Sequence, residues 1–214
     1  VSIAGVGYSI AFSDSVMAQV TTSNTTLTGS ANADTLIAND VDGALTINGN
    51  GGADTFNITK VTAGTFTGGA GVDTFTIENA TGGTFTGAEG ADVFNITSST
   101  GLTLVSENGD SDTFNFTVGN DITATVNGLD DTDKLVFSGE VTGTVNSGTK
   151  VFTFSDTSSN AITLNVGDSA ATKDWYDVQV INKGATDSET TIGELVDPYV
   201  WTTSETATGS ITAK

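Results

Sequence analysis

"GGAGVDTFTIENATGGTFTG", residues 68 to 87, is the stretch that decides the fold. A glycine-rich loop leads into Asp73 and then into the alternating run Thr74-Phe75-Thr76-Ile77. After a second turn comes Thr84-Phe85-Thr86. Strand side chains alternate between faces, so each run predicts a short strand with its apolar residues on one side. The pattern recurs along the chain. Asp34, Asp54, Asp73, Asp92, Asp112 and Asp133 precede "TLIA", "TFNI", "TFTI", "VFNI", "TFNF" and "KLVF", at successive spacings of 20, 19, 19, 20 and 21 residues. Six copies at a period near twenty suit the coils of a β-solenoid.

Each copy holds two strands. After the aspartate, Leu36, Phe56, Phe75, Phe94, Phe114 and Leu135 form one apolar column, and Ile58, Ile77, Ile96, Phe116 and Phe137 form a second. Before the glycine loop, Leu27, Ile47, Phe66, Phe85, Leu104 and Val126 form a third. Stacked coils place these columns inside as core. The positions between them are mostly Thr and Asn, which bond well along a stack. The expected architecture is all-β, a parallel β-solenoid or β-roll of about six coils over residues 26–139. Residues 1–25 form an N-terminal strand, cap or assembly segment, and residues 140–214 a C-terminal β cap or subdomain.

Composition narrows the chemistry. The 214 residues include 26 acidic against 6 basic side chains, a net charge of −20, with no cysteine and no histidine. So few cations argue against nucleic acid and anionic membrane partners, since phosphate binding needs clustered positive charge. Zinc, haem and iron–sulfur sites lose their usual ligands, and a Ser-His-Asp or Cys-His mechanism is excluded. No apolar run reaches a membrane-spanning length, so no membrane insertion is expected. A strongly acidic chain either remains solvated by its charge or holds multivalent cations.

The loop from Gly68 to Thr76 has the spacing G-G-x-G-x-D-x-apolar-x. It resembles the nonapeptide of the repeat-in-toxin (RTX) family, and "GNGGADTFN" (49–57) and "GAEGADVFN" (87–95) are degenerate copies. The likeness covers residues 26–139, with one matching turn per coil where the family has two. It implies an exported protein whose loops bind calcium. The implied ligand set is Asp34, Asp54, Asp73, Asp92, Asp112 and Asp133 with Gly49, Gly51, Gly68, Gly69, Gly71, Gly87 and Gly90. Loop carbonyls and one carboxylate supply part of a calcium shell, and the next coil supplies the rest. The competing reading is that the aspartates only make Asx-turns and accept N–H bonds. Glu89, Glu107, Asp110, Asp130 and Asp131 are further ligands or plain solvated surface.

The ends carry separate expectations. Residues 1–12 hold Val1, Ile3, Val6, Tyr8, Ile10 and Phe12 outside any column. They are expected to donate a strand to a neighbouring copy, or else to cap their own solenoid. "VMA" at 16–18 resembles a leader cleavage site, and the chain begins at Val1 without an initiator Met, which suggests a processed start. Downstream, residues 150–156 and 160–166 predict a hairpin, 175–182 and 198–203 predict strands, and 191–196 one helical turn.

Together these features point to a non-enzymatic extracellular protein, a calcium-stabilised surface-layer or filament subunit whose partner is itself. The alternatives are an adhesin or calcium-folded module of a larger exported protein, and an ice-binding solenoid. The last rests on the ladder Thr26/Thr28, Thr46/Asn48, Thr65/Thr67, Thr84/Thr86, Thr103 and Thr125/Asn127, which the β-propensity of threonine also explains. Five glycosylation sequons, at Asn24, Asn57, Asn79, Asn95 and Asn115, place Asn95 and Asn115 on adjacent coils, too close for two glycans.

Overall fold

The computed structural model describes residues 1–3, 9–106, 110–130, 132–139, 141–146, 151–156, 158–166, 179–182, 188–191 and 199–202. These residues form strands and no helix. In chain order they are β1 (Ser2–Ile3), β2 (Ser9–Ala11), β3 (Met17–Val20), β4 (Thr25–Thr28), β5 (Thr35–Val41), β6 (Leu45–Gly51), β7 (Thr55–Val61), β8 (Thr65–Ala70), β9 (Thr74–Glu78) and β10 (Thr84–Glu89). Then come β11 (Val93–Thr97), β12 (Leu102–Val105), β13 (Thr113–Phe116), β14 (Ile122–Asn127), β15 (Lys134–Phe137), β16 (Val141–Asn146), β17 (Val151–Asp156), β18 (Ala161–Val166), β19 (Gln179–Asn182), β20 (Ser188–Thr191) and β21 (Tyr199–Thr202). No helix of the described residues is long and apolar enough to cross a membrane.

The strands sort by parity into two parallel sheets. Odd-numbered strands β1 to β15 stack in order in the first sheet, and even-numbered strands β2 to β14 stack in the second. Each coil therefore gives one strand to each sheet, which makes a parallel β-solenoid of about seven turns. Register is exact from coil to coil. Phe56 lies opposite Phe75, Phe75 opposite Phe94 and Phe94 opposite Phe114. Those rings stack at centroid separations of 4.4, 4.9 and 4.8 Å. Phe66 and Phe85 stack at 4.7 Å in the second sheet, and Phe85 meets Phe75 edge-on across the core at 6.4 Å. Offset stacking of this kind adds about 0.5–1.5 kcal/mol per pair beyond the area buried. All three apolar columns are buried. A one-residue slip would turn every inward phenylalanine to solvent, so the aromatic ladders also hold the register.

The first coil lies outside the predicted array. β1 pairs with β3 and β2 with β4, so Ile10 lies opposite Leu27 and continues the third column. Ile10 and Phe12 pack against the core, and the Phe12 N–H donates to Thr28 O at 3.1 Å. The described part of the N-terminal segment thus caps its own chain, contrary to the expectation that it belongs to no column. Val6 and Tyr8 lie outside the described residues. Of "VMA", Met17 and Ala18 open β3, with Ala18 buried opposite Leu36.

The C-terminal hairpin is present as β17 and β18, paired antiparallel with Phe154 opposite Ile162. It does not stand apart. β18 adds parallel to β14, and β19 adds parallel to β15, so both sheets continue through it. Beyond these, β17, β16 and β21 in the second sheet and β20 in the first pair antiparallel. The helical turn predicted at 191–196 lies outside the described residues, apart from Thr191 at the end of β20.

Candidate functional site: a buried aspartate column

The six aspartates come together in one column at the turn between the second sheet and the first. Asp54, Asp73, Asp92, Asp112 and Asp133 have no exposed surface, and Asp34 has almost none. Each uses Oδ1 in the same way. The backbone N–H of Asp34, Asp54, Asp73 and Asp92 donates to Oδ1 of the next aspartate at 2.7 Å, and that of Asp112 to Asp133 Oδ1 at 2.9 Å. Val16 occupies the equivalent place in the preceding coil, and its N–H donates to Asp34 Oδ1 at 2.6 Å. The side chains thus form a directional spine, each carboxylate reaching back one coil. This is the N–H bonding that the Asx reading anticipated, made between coils rather than within one turn.

The second carboxylate oxygens divide the column. Asp34 Oδ2 accepts from the Ser30 N–H at 2.6 Å. Asp112 Oδ2 accepts from Ser106 Oγ at 2.8 Å, and Asp133 Oδ2 from the Asp130 N–H at 2.9 Å. The Oδ2 atoms of Asp54, Asp73 and Asp92 are buried with no hydrogen-bond partner. A buried unsatisfied polar atom costs about 1–3 kcal/mol, more when charged. The three orphaned oxygens belong to the three loops that match the nonapeptide best.

The glycines explain how the oxygens are held. A Cβ on Gly49, Gly68 or Gly87 would collide with Oδ2 of Asp54, Asp73 or Asp92, five residues on. At Gly49 and Gly68 the same space is bounded by the carbonyl oxygens of Gly68 and Gly87 from the next coil. Gly69 and Gly71 have φ of 117° and 128°, and a Cβ on either would strike the preceding coil's carbonyl, that of Asn50 or Gly52. Gly90 repeats the arrangement over Gly71. In the earlier loop this position is Gly52, at φ 106°, and not Gly51. Gly51 pairs with Ala70, which pairs with Glu89, so its place accepts a side chain. Gly52 was missed because "GNGG" offers two alignments of its glycines, and only the register chooses between them. Ser30 and Ser106 were missed because no spacing rule points to them.

Burial pushes these carboxyls up. Asp54 rises to about 6, chiefly through loss of solvent, against the lowering effect of the Asp34 N–H and with help from the neighbouring charges of Asp73 and Asp34. Asp92 and Asp133 rise to about 7 for the same leading reason. Asp73 and Asp112 are also raised by burial. Two carboxylates one coil apart, about 4.8 Å, repel by roughly 3 kcal/mol at an effective dielectric of about 20. The column therefore favours a proton or a cation at its orphaned oxygens.

Among the described residues no three His, Cys, Asp or Glu side chains gather as a metal-binding group. What the central loops do offer is hard oxygen, a bare carboxylate oxygen at Asp54, Asp73 and Asp92 with a backbone carbonyl beside the first two, which is the donor type calcium takes. Of the other predicted acids, Asp110 and Asp130 lie beside the column, where the charges of both help raise Asp112 and that of Asp110 helps raise Asp92. Asp110 Oδ2 accepts from the Gly90 N–H at 2.9 Å, Glu89 is exposed at the end of β10, and Glu107 and Asp131 lie outside the described residues. The sequons also sort by position. Asn24 and Asn79 sit in exposed turns at φ 55° and 54°, whereas Asn115 Nδ2 donates to Asn95 Oδ1 at 3.0 Å on adjacent strands. Comparison with protein-family models, with curated proteins and with solved structures finds no match for this chain.

Proposed function

We propose that this chain is a structural β-solenoid, stabilised by calcium, that self-assembles outside the cell as a surface-layer or filament subunit. The observation that carries the reading is the set of three buried, partnerless oxygens at Asp54, Asp73 and Asp92. Bound calcium would supply positive charge at those oxygens and relieve the repulsion along the column. The residues that would hold it are Asp54, Asp73 and Asp92 with the carbonyls of Gly68 and Gly87. The RTX-like spacing of the loops and the net charge of −20 support the same reading. The continuous parallel stack suits a rigid building element, in which each coil contacts chiefly its neighbours.

A ligand held only by the folded state stabilises it by mass action, by about 2.7 kcal/mol at a hundred times the dissociation constant. Melting of the full chain is therefore expected to shift upward by several degrees in millimolar calcium relative to chelator. Negative-stain images in calcium are expected to show sheets or filaments. An unchanged midpoint removes calcium from the proposal, and isolated monomers at every concentration remove self-assembly.

A further inference from the structure

The loops that lead into the aspartates take two backbone forms. In the four loops from Asp34 to Asp92 a glycine precedes the aspartate by five residues, and a Cβ on it would meet that aspartate's Oδ2. The forms part at the next residue. Asn50, Gly69 and Ala88 follow the glycines of the Asp54, Asp73 and Asp92 loops, and all have positive φ, at 83°, 117° and 75°. Ser30 holds that place in the Asp34 loop, and its φ is not positive. Its N–H donates to Asp34 Oδ2 at 2.6 Å. The Asn50 N–H turns instead to Asn48 Oδ1, at 2.9 Å. Two residues further on the contrast repeats. Gly52, Gly71 and Gly90 have φ of 106°, 128° and 127°, and Asn32 is again not positive. Among the described residues, the bare Oδ2 atoms belong to the three left-handed loops.

We infer that the residue after this glycine decides which loops take a calcium ion. Left-handed there, a loop presents its buried carboxylate oxygen to the cation; otherwise it fills that oxygen with its own amide. The inference rests on the calcium reading and names the loops that load. Glycine takes positive φ freely, but alanine does not. Ala88 is held there with no polar side-chain group to offset the strain, and the Asp92 oxygen left bare is buried. Two unfavourable features thus coincide in one loop, and a cation at Asp92 Oδ2 offsets both. Stacking does not impose the left-handed form, because the two forms lie on adjacent coils. There the Gly51 N–H donates to Ser30 O at 3.3 Å, and the Asp34 N–H to Asp54 Oδ1 at 2.7 Å. The Ser30 hydroxyl secures its own form by accepting from the Asn32 N–H at 3.0 Å. The Asp34 loop is therefore closed to calcium, although it keeps the aspartate and the first glycine of the pattern. Ser106 Oγ and the Asp130 N–H close the Asp112 and Asp133 loops in the same sense.

The test opens one loop and closes another. Equilibrium dialysis of the full chain against calcium chloride counts the ions bound, and circular dichroism checks folding. Ser30→Gly combined with Asn32→Gly removes the hydroxyl clasp and lets both positions take positive φ. This double variant is expected to bind one calcium more than wild type. Ala88→Val sets a β-branched residue where positive φ is least tolerated, and it is expected to bind one fewer. Ala88→Gly is expected to keep the wild-type number. Should Ala88→Val fail to fold, the double variant decides. A wild type that binds calcium, with no gain in the folded double variant or no loss in folded Ala88→Val, overturns this rule alone. A wild type that binds no calcium overturns both the rule and the calcium reading.

Discussion

At the scale of single residues, the aspartate column has two unlike kinds of member. Asp34→Ala removes the acceptor for two backbone amides, those of Val16 and Ser30. Asp73→Ala removes one, that of Asp54, and also deletes a buried orphaned oxygen. In chelator, Asp34→Ala is expected to cost more, by about 1 kcal/mol, the net worth of the extra bond. In calcium the order is expected to reverse, because Asp73 then loses a cation contact. Melting both variants in both buffers checks this, and an order that ignores calcium counts against a metal at Asp73. The glycines give a second contrast. Gly71→Ala forces a Cβ into Gly52 O at positive φ and is expected to cost at least about 1–3 kcal/mol. Gly51→Ala is expected to stay within about 0.5 kcal/mol, as for surface changes generally. Chemical denaturation separates them, and equal costs would undo the assignment of Gly52 to the turn.

The pH response also belongs to this scale. Asp54, Asp92 and Asp133 have folded values of about 6, 7 and 7, above the usual 3.8. The folded state then holds protons that the unfolded chain releases, so stability falls as pH rises from about 4 through 7. In chelator the melting point is expected to climb on acidification from pH 7.5 to 5, and calcium is expected to flatten that climb. A melting point that drops over this interval in chelator contradicts the burial effect.

At the scale of elements, the coil is the unit and its neighbours complete it. β9 has β7 on one side and β11 on the other, and its Phe75 ring is stacked from both directions. The ends lack such neighbours, and β1 and β2 supply them at the start. Deleting residues 1–12 uncovers the edges of β3 and β4 and the core beneath. A melting point lower by several degrees is expected, since each kcal/mol is worth about 2–4 °C in a chain of this length. Assembly is expected to persist, because β1 and β2 pair within their own chain and donate no strand to a neighbour. Lost polymers with unchanged melting would instead restore the donated-strand reading.

At the scale of the whole molecule, sequence and tertiary structure divide the account cleanly. Periodicity alone determined the coils, the three apolar columns and the grouping of the six aspartates, because a solenoid's contacts run between equivalent residues of successive repeats. A pattern repeated every twenty residues is then a map of the contacts themselves. The first coil escaped that map because its counterpart of Asp34 is Val16, and no glycine loop marks it. The continuation of both sheets through β18 and β19 escaped it because those pairings skip along the chain and follow no repeat. The chemistry of the column was only half legible. Spacing placed the carboxylates together, but which oxygens are paired depends on Ser30, Ser106 and the Asp130 amide, each in the loop that leads into its own aspartate. Only the folded loops leave Asp54, Asp73 and Asp92 each with one bare Oδ2, because whether a loop amide or hydroxyl reaches that oxygen is decided by backbone geometry rather than by the spacing of the repeat.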